Sequence, residues 1–200
     1  MKNRQFVLVG LGAALTASEA AAQEIEPYAG WEAPSTTTWD YLESCGSNTC
    51  NTVPPGLKSI VEAASAKADE IFAFATVNAV HNTQVANGNF NFVLSDVYFD
   101  GNGNPVSLPT GGCYTQTNIS GGISFGEIAC HTSVADLAAN APDVAKCLML
   151  HEFMHSHGVG GHTAQGDGLM SPQCNENWSP FDITQYERDM FVEDWSLYML

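Results

Sequence analysis

The stretch HEFMHSHGVGGH, His151 to His162, holds four of the six histidines of the 200-residue chain, and it demands a helix that ends at a defined place. Each helical residue turns about 100° round the axis, so His151 and His155 lie within about 40° of one another on one face. Two imidazoles so placed converge on a single Zn²⁺ through ring nitrogens. Glu152, about 100° round from His151, stands aside from the ligand position but within reach of a water on the metal's remaining site, which suits a general base. His157 is about 240° round and points away from the metal; near the helix C-terminus it reads as a surface or capping residue. Gly158 accepts the left-handed conformation that stops a helix. Gly160 and Gly161 then let the chain bend back, which makes His162 the third ligand. With no obvious fourth protein ligand, the zinc reads as open and catalytic rather than structural.

Residues 1–22 read as an export signal, with Lys2 and Arg4, an apolar Phe6–Thr16 stretch and Ala20-Ala21-Ala22 before Gln23. Beyond it nothing approaches about 20 uninterrupted apolar residues, so the expected product is secreted, extracellular or periplasmic, without a membrane span. Removing the signal takes two cations and one anion, moving the net charge from −16 to about −17. Nucleic acid and anionic membrane are poor partners for such a surface. The acidic surface reads first as a solvated coat and secondarily as Ca²⁺-binding loops. An even number of cysteines in an exported chain favours three disulfides. Sequential pairing is the simplest: Cys45 with Cys50, Cys113 with Cys130, and Cys147 with Cys174.

Residues 23–53 are rich in Pro, Thr, Ser, Asn and Gly without periodicity and read as an irregular N-terminal arm; residues 54–200 form one domain. After Pro54-Pro55, Leu57, Ile60, Val61, Ala64, Ala68, Ile71, Phe72 and Ala75 recur at helical spacing, predicting a helix to about His81. Phe90, Phe92, Leu94 and Tyr98 predict a strand, and Asp100–Pro105 a turn. Ile119–Cys130 reads as one or two short strands closing on His131. Pro142 suits the first turn of the histidine helix. Ser179-Pro180-Phe181-Asp182 reads as the start of a C-terminal helix, with Ile183, Tyr186, Met190, Phe191 and Trp195 on its apolar face.

Taken with LMSP at Leu169–Pro172, the histidine segment resembles the metzincin metallopeptidases, whose signature is H-E-x-x-H-x-x-G-x-x-H followed by a methionine turn. His151, Glu152, His155 and Gly158 match position by position, and the spacing from His162 to Met170 is similar to that of matrix-metalloproteinase-like members. One departure is plain: the third histidine falls at His162, where the signature would place it at Gly161. Asp167 is the fallback ligand, with Glu176 or Glu187 as counterparts in a glutamate-ligand class. The resemblance implies a mixed α/β (α+β) fold with a twisted mixed sheet, a long helix, the active-site helix and a C-terminal helix. It implies Met170 as a floor beneath the ligands and Ile123–Ala129 as an edge strand that pairs with an extended peptide. His131, at the end of that strand, reads mainly as a packing or surface residue. Cys45-Gly46 resembles a cysteine latency switch, but an even cysteine count favours a disulfide there. The expected activity is zinc-dependent endopeptidase, with a polypeptide substrate. Two alternatives stay open: an exported metal-binding or adhesion module on the same scaffold, and a zinc hydrolase acting on non-peptide amides.

Overall fold

Phe90, Phe92 and Leu94 alternate with Asn91 and Val93, so one side of this strand is aromatic and aliphatic, and the strand lies at the centre of a five-stranded sheet. The computed structural model describes residues 23–27, 37–44, 50–75, 82–84, 87–100, 102–120, 123–163, 168–172, 174 and 182–196. In chain order its elements are β1 (Gln23–Pro27), β2 (Thr37–Tyr41), α1 (Pro55–Ala75), β3 (Asn82–Gln84), β4 (Phe90–Leu94), β5 (Val97–Phe99), β6 (Pro105–Ser107), β7 (Cys113–Ser120), β8 (Ile123–Cys130), α2 (Val134–Asn140), α3 (Pro142–Ser156), β9 (Val159–His162) and α4 (Gln185–Ser196). The sheet runs β3-β2-β4-β8-β7, with parallel neighbours except at β7, which is antiparallel to β8 and forms an edge. Parallel pairing needs a crossover, and α1 supplies the one between β2 and β3. A second, two-stranded sheet joins β1 to β9 antiparallel, with Gln23 opposite His162.

One face of the large sheet packs on α1 and α3. Trp39, Phe90, Phe92, Leu94 and Ile128 from the strands meet Leu57, Val61, Ile71 and Phe72 of α1 and Met149, Leu150, Phe153 and Met154 of α3 in one buried cluster. Trp39 is the keystone between the layers. Its indole N–H donates to Ser65 Oγ at 2.9 Å, and its ring meets Phe153 edge-on with centroids 5.5 Å apart, so a large apolar surface is buried with its polar atom satisfied. On the other face, the β5–β6 hairpin covers a smaller cluster of Tyr98, Leu108, Tyr114 and Ala129.

The mixed α/β architecture and the long helix agree with the sequence, and several details differ. Within residues 23–53, read as an irregular arm, the described residues include two strands, β1 and β2, and Trp39 is among the most buried side chains. Only Trp39 and Tyr41 carry the core-facing pattern of β2, too few for a periodic signal. Ile123–Ala129 is not an edge, because β8 is paired on both sides, with β4 and β7; the edge is β7. Tyr98 belongs to a separate hairpin, since the chain breaks after Leu94 and Tyr98 faces the second cluster. α4 opens at Gln185 rather than near Ser179, and Tyr186 lies on its exposed side at 60% accessibility. Residues 76–81 and 175–181 lie outside the described residues, as does the signal segment.

Cys113–Cys130 and Cys147–Cys174 are disulfides, as sequential pairing anticipates. Cys50 is also disulfide-bonded, while its expected partner Cys45 lies outside the described residues. Two such bonds point to an oxidising compartment. Among the described residues no helix is long and apolar enough to cross a membrane. Because Trp39 joins the sheet to both helices, Trp39→Ala is expected to cost about 3–5 kcal/mol, read as a lower urea midpoint at unchanged slope.

Candidate metal centre

α3 begins where Pro142 sacrifices no intrahelical hydrogen bond and Asp143 faces the positive end of the dipole. It stops at Gly158, whose φ of 91° lies in the left-handed region. Gly161, with φ 72°, turns β9 so that His162 comes back over the helix. The outcome is the convergence of His151, His155 and His162: one ligand-type atom from each lies within 4.8 Å of the others. Ring centroids are 4.7 Å apart for His151 and His155, 5.2 Å for His151 and His162, and 5.1 Å for His155 and His162.

The hydrogen bonds around the rings define what they can hold. His151 Nδ1 lies 2.8 Å from Leu169 O, and His155 Nδ1 lies 2.7 Å from Val159 O. A carbonyl only accepts, so each Nδ1 carries the hydrogen and each Nε2 keeps a lone pair. These two Nε2 atoms sit 3.1 Å apart. That is a hydrogen-bond distance, yet neither atom has a proton to donate. Among the described residues His162 Nε2 is buried with no hydrogen-bond partner. Two Nε2 acceptors and the buried ring of His162 thus face one point, an arrangement able to hold a metal ion.

Burial supports this state. It pushes His151 well below the usual histidine range, aided by His155 and His162, pushes His155 down to about 3 with His162 contributing, and lowers His162. The rings are therefore neutral, as metal ligation requires. Glu152 is buried beside them on α3, and burial raises its carboxyl to about 7 against the opposing effect of a hydrogen bond from Thr115. Thr115 Oγ1 donates to Glu152 Oε2 at 2.6 Å, and Thr117 Oγ1 donates to His155 O at 3.0 Å. Both threonines come from the helix-facing side of β7, so the edge strand is stitched to α3 by hydroxyls. Neither was read as a site residue from the sequence; their alternation at 115 and 117 in CYTQTNIS was the available signal.

Other residues singled out in the sequence fall elsewhere. His157 points away from the cluster as expected, but it is not on the surface: it is fully buried, stacked on Phe72 at 4.8 Å, and its Nδ1–H donates to Phe153 O at 2.7 Å. It lies against α1, with Asp69 Oδ1 3.5 Å from its Nε2. His131 is spoken for by Ser133 and Asp96 at the start of α2. Met170 is completely buried in the main core. Glu187 is buried but bonded to Met170 and Thr184, apart from the three rings. Asp167 and Glu176 lie outside the described residues.

Compared with known proteins, the chain matches no family model and no curated protein. The geometry therefore carries the reading by itself.

In the metal-free protein, protons compete for the rings. The unfolded chain binds them from about pH 6.5 downward, while folded His155 resists down to about 3, so these rings contribute stability that is present above 6.5 and lost on acidification through that window. Glu152 acts oppositely, its contribution being lost as pH rises from 4.5 through about 7. With three lowered histidines against one raised carboxyl, the urea midpoint of the metal-free protein is expected to fall from pH 7 to pH 4, and more shallowly in His155→Gln.

Proposed function

We propose that the chain is a secreted zinc endopeptidase of metzincin type. The observation that carries this reading is the convergence of three neutral imidazoles, His151 and His155 from α3 with unprotonated Nε2 atoms and His162 from β9, beside the buried carboxyl of Glu152. His151, His155 and His162 are the proposed ligands, and the order of long helix, strand, edge strand, site helix and C-terminal helix fits the resemblance. The extra residue before His162 is accommodated by Gly161 at positive φ, which favours His162 over the carboxylate alternatives.

When bound, Zn²⁺ would polarise a scissile carbonyl and lower the pKa of a water toward about 7. Glu152 would accept the proton of the attacking water on its carboxylate and hand it to the departing amine. With Oε2 engaged by Thr115, Oε1 is the free acceptor. The outer edge of β7 offers backbone N–H and C=O groups to an extended peptide, by the main-chain pairing first assigned to Ile123–Ala129.

The test is cleavage of unfolded protein substrates by the purified mature chain, with zinc content measured alongside. Glu152→Ala is expected to retain the metal and lose about 10²–10⁴-fold in kcat/KM. Stoichiometric metal without any cleavage by the wild type would favour a binding module, and turnover of small amides alone would favour the amide hydrolase. Thr115→Val removes a bond that lowers the Glu152 pKa, so the acid limb of the pH–activity profile should move to higher pH, with Thr115→Ser restoring it.

A further inference from the structure

Glu187 is a carboxylate on α4 with no accessible surface, and the three-imidazole cluster does not use it. A buried charge of this kind is costly unless fully paired. One half of its pairing is a capping box: Thr184 N–H donates to Glu187 Oε2 at 2.8 Å, Thr184 Oγ1 donates to the same oxygen at 3.1 Å, and Glu187 N–H donates back to Thr184 Oγ1 at 3.2 Å. The cap occupies Oε2 alone. Oε1 reaches out of α4 and accepts the Met170 N–H at 2.6 Å.

Met170 belongs to a tight turn closed by Ser171 N–H donating to Gly168 O at 3.2 Å. Both central carbonyls of that turn serve the metal centre. Leu169 O takes the Nδ1–H of His151 at 2.8 Å, and Met170 O takes the N–H of Thr163, the residue after His162, at 2.9 Å. The Glu187 carboxyl also lies so close over the turn that a Cβ at position 168 would sit 2.4–2.5 Å from it, which only glycine tolerates.

We propose that Glu187 is a positioning residue of the metal centre. Through Oε1 it fixes the Gly168–Ser171 turn, and the turn's two carbonyls set the ring orientation of His151 and the placement of the strand that bears His162. The helix cap and the metal centre are thereby joined through the two oxygens of one side chain. The proposal rests on the metal-binding part of the function proposed above, and its test also has a readout that needs no metal.

Three variants of the full mature chain separate the two oxygens. Glu187→Gln keeps the shape but has one acceptor for two N–H groups. Glu187→Asp keeps the charge and is one methylene too short to span cap and turn. Thr184→Ala weakens the cap and leaves the Met170 bond. Zn²⁺ affinity is measured by chelator competition, melting temperature by calorimetry, and the Nδ1–H of His151 in the metal-free protein by nitrogen-edited NMR. Both Glu187 variants are expected to weaken Zn²⁺ binding about 10–100-fold and to lose the protected Nδ1–H signal. Thr184→Ala is expected to lower the melting temperature with affinity and signal unchanged. Wild-type affinity in the Glu187 variants, or equal loss in Thr184→Ala, would overturn the proposal. A wild type that binds no Zn²⁺ would defeat the peptidase reading, and the metal-free signal would then decide the positioning role: its survival in both Glu187 variants overturns it.

Discussion

Two imidazoles one helical turn apart can turn lone pairs to a common point only if something else holds their Nδ1 protons. In this protein Leu169 O and Val159 O do so, and both carbonyls belong to segments that follow α3. The helix supplies spacing, but the chain after it supplies orientation. The left-handed Gly158 and Gly161, the turn at Gly168–Ser171 and the strand β9 are all conditions for those contacts. The same burial that aligns the rings keeps them neutral, and it holds Glu152 near the point where it exchanges protons at neutral pH.

What was legible in the sequence was local. Spacing four apart puts His151 and His155 on one face, glycine at 158 ends the helix, and Pro142 starts it; these follow from backbone geometry alone. The periodicity of α1 and the sequential disulfides Cys113–Cys130 and Cys147–Cys174 were likewise within reach. What escaped depended on partners distant in the chain. β7 reads as polar because Thr115 and Thr117 face α3 with hydroxyls that bond to Glu152 and the His155 carbonyl instead of burying methyls alone. β1 and β9 are too short and too glycine- or glutamate-rich to look like strands, and each exists only through the other. His157 looked like a surface residue from its angle on the helix, whereas α1 is packed over that side and Phe72 stacks on the ring. The start of α4 was within reach: Thr184 and Glu187 stand three apart, the spacing of a capping box, and were passed over for Ser179.

The disulfides bracket the centre. Cys147 lies one turn before His151 on α3 and is tied to Cys174, just beyond the Met170 turn; Cys113–Cys130 fastens the edge strand to its neighbour next to His131. Such bonds act chiefly by limiting the unfolded chain. Their placement means that the segments carrying ligand, turn and edge are the ones whose unfolded freedom is most reduced.

The pairing of Gln23 with His162 gives the molecule a temporal order. β1 is made long before β9, and loop closure over such a span comes late in folding. Two imidazoles are spaced as soon as α3 forms and oriented once the chain beyond it folds back, but the third gains its strand partner only when the chain returns to its own early residues. The early segment is thus tied to the three-histidine cluster at the far end of the sequence.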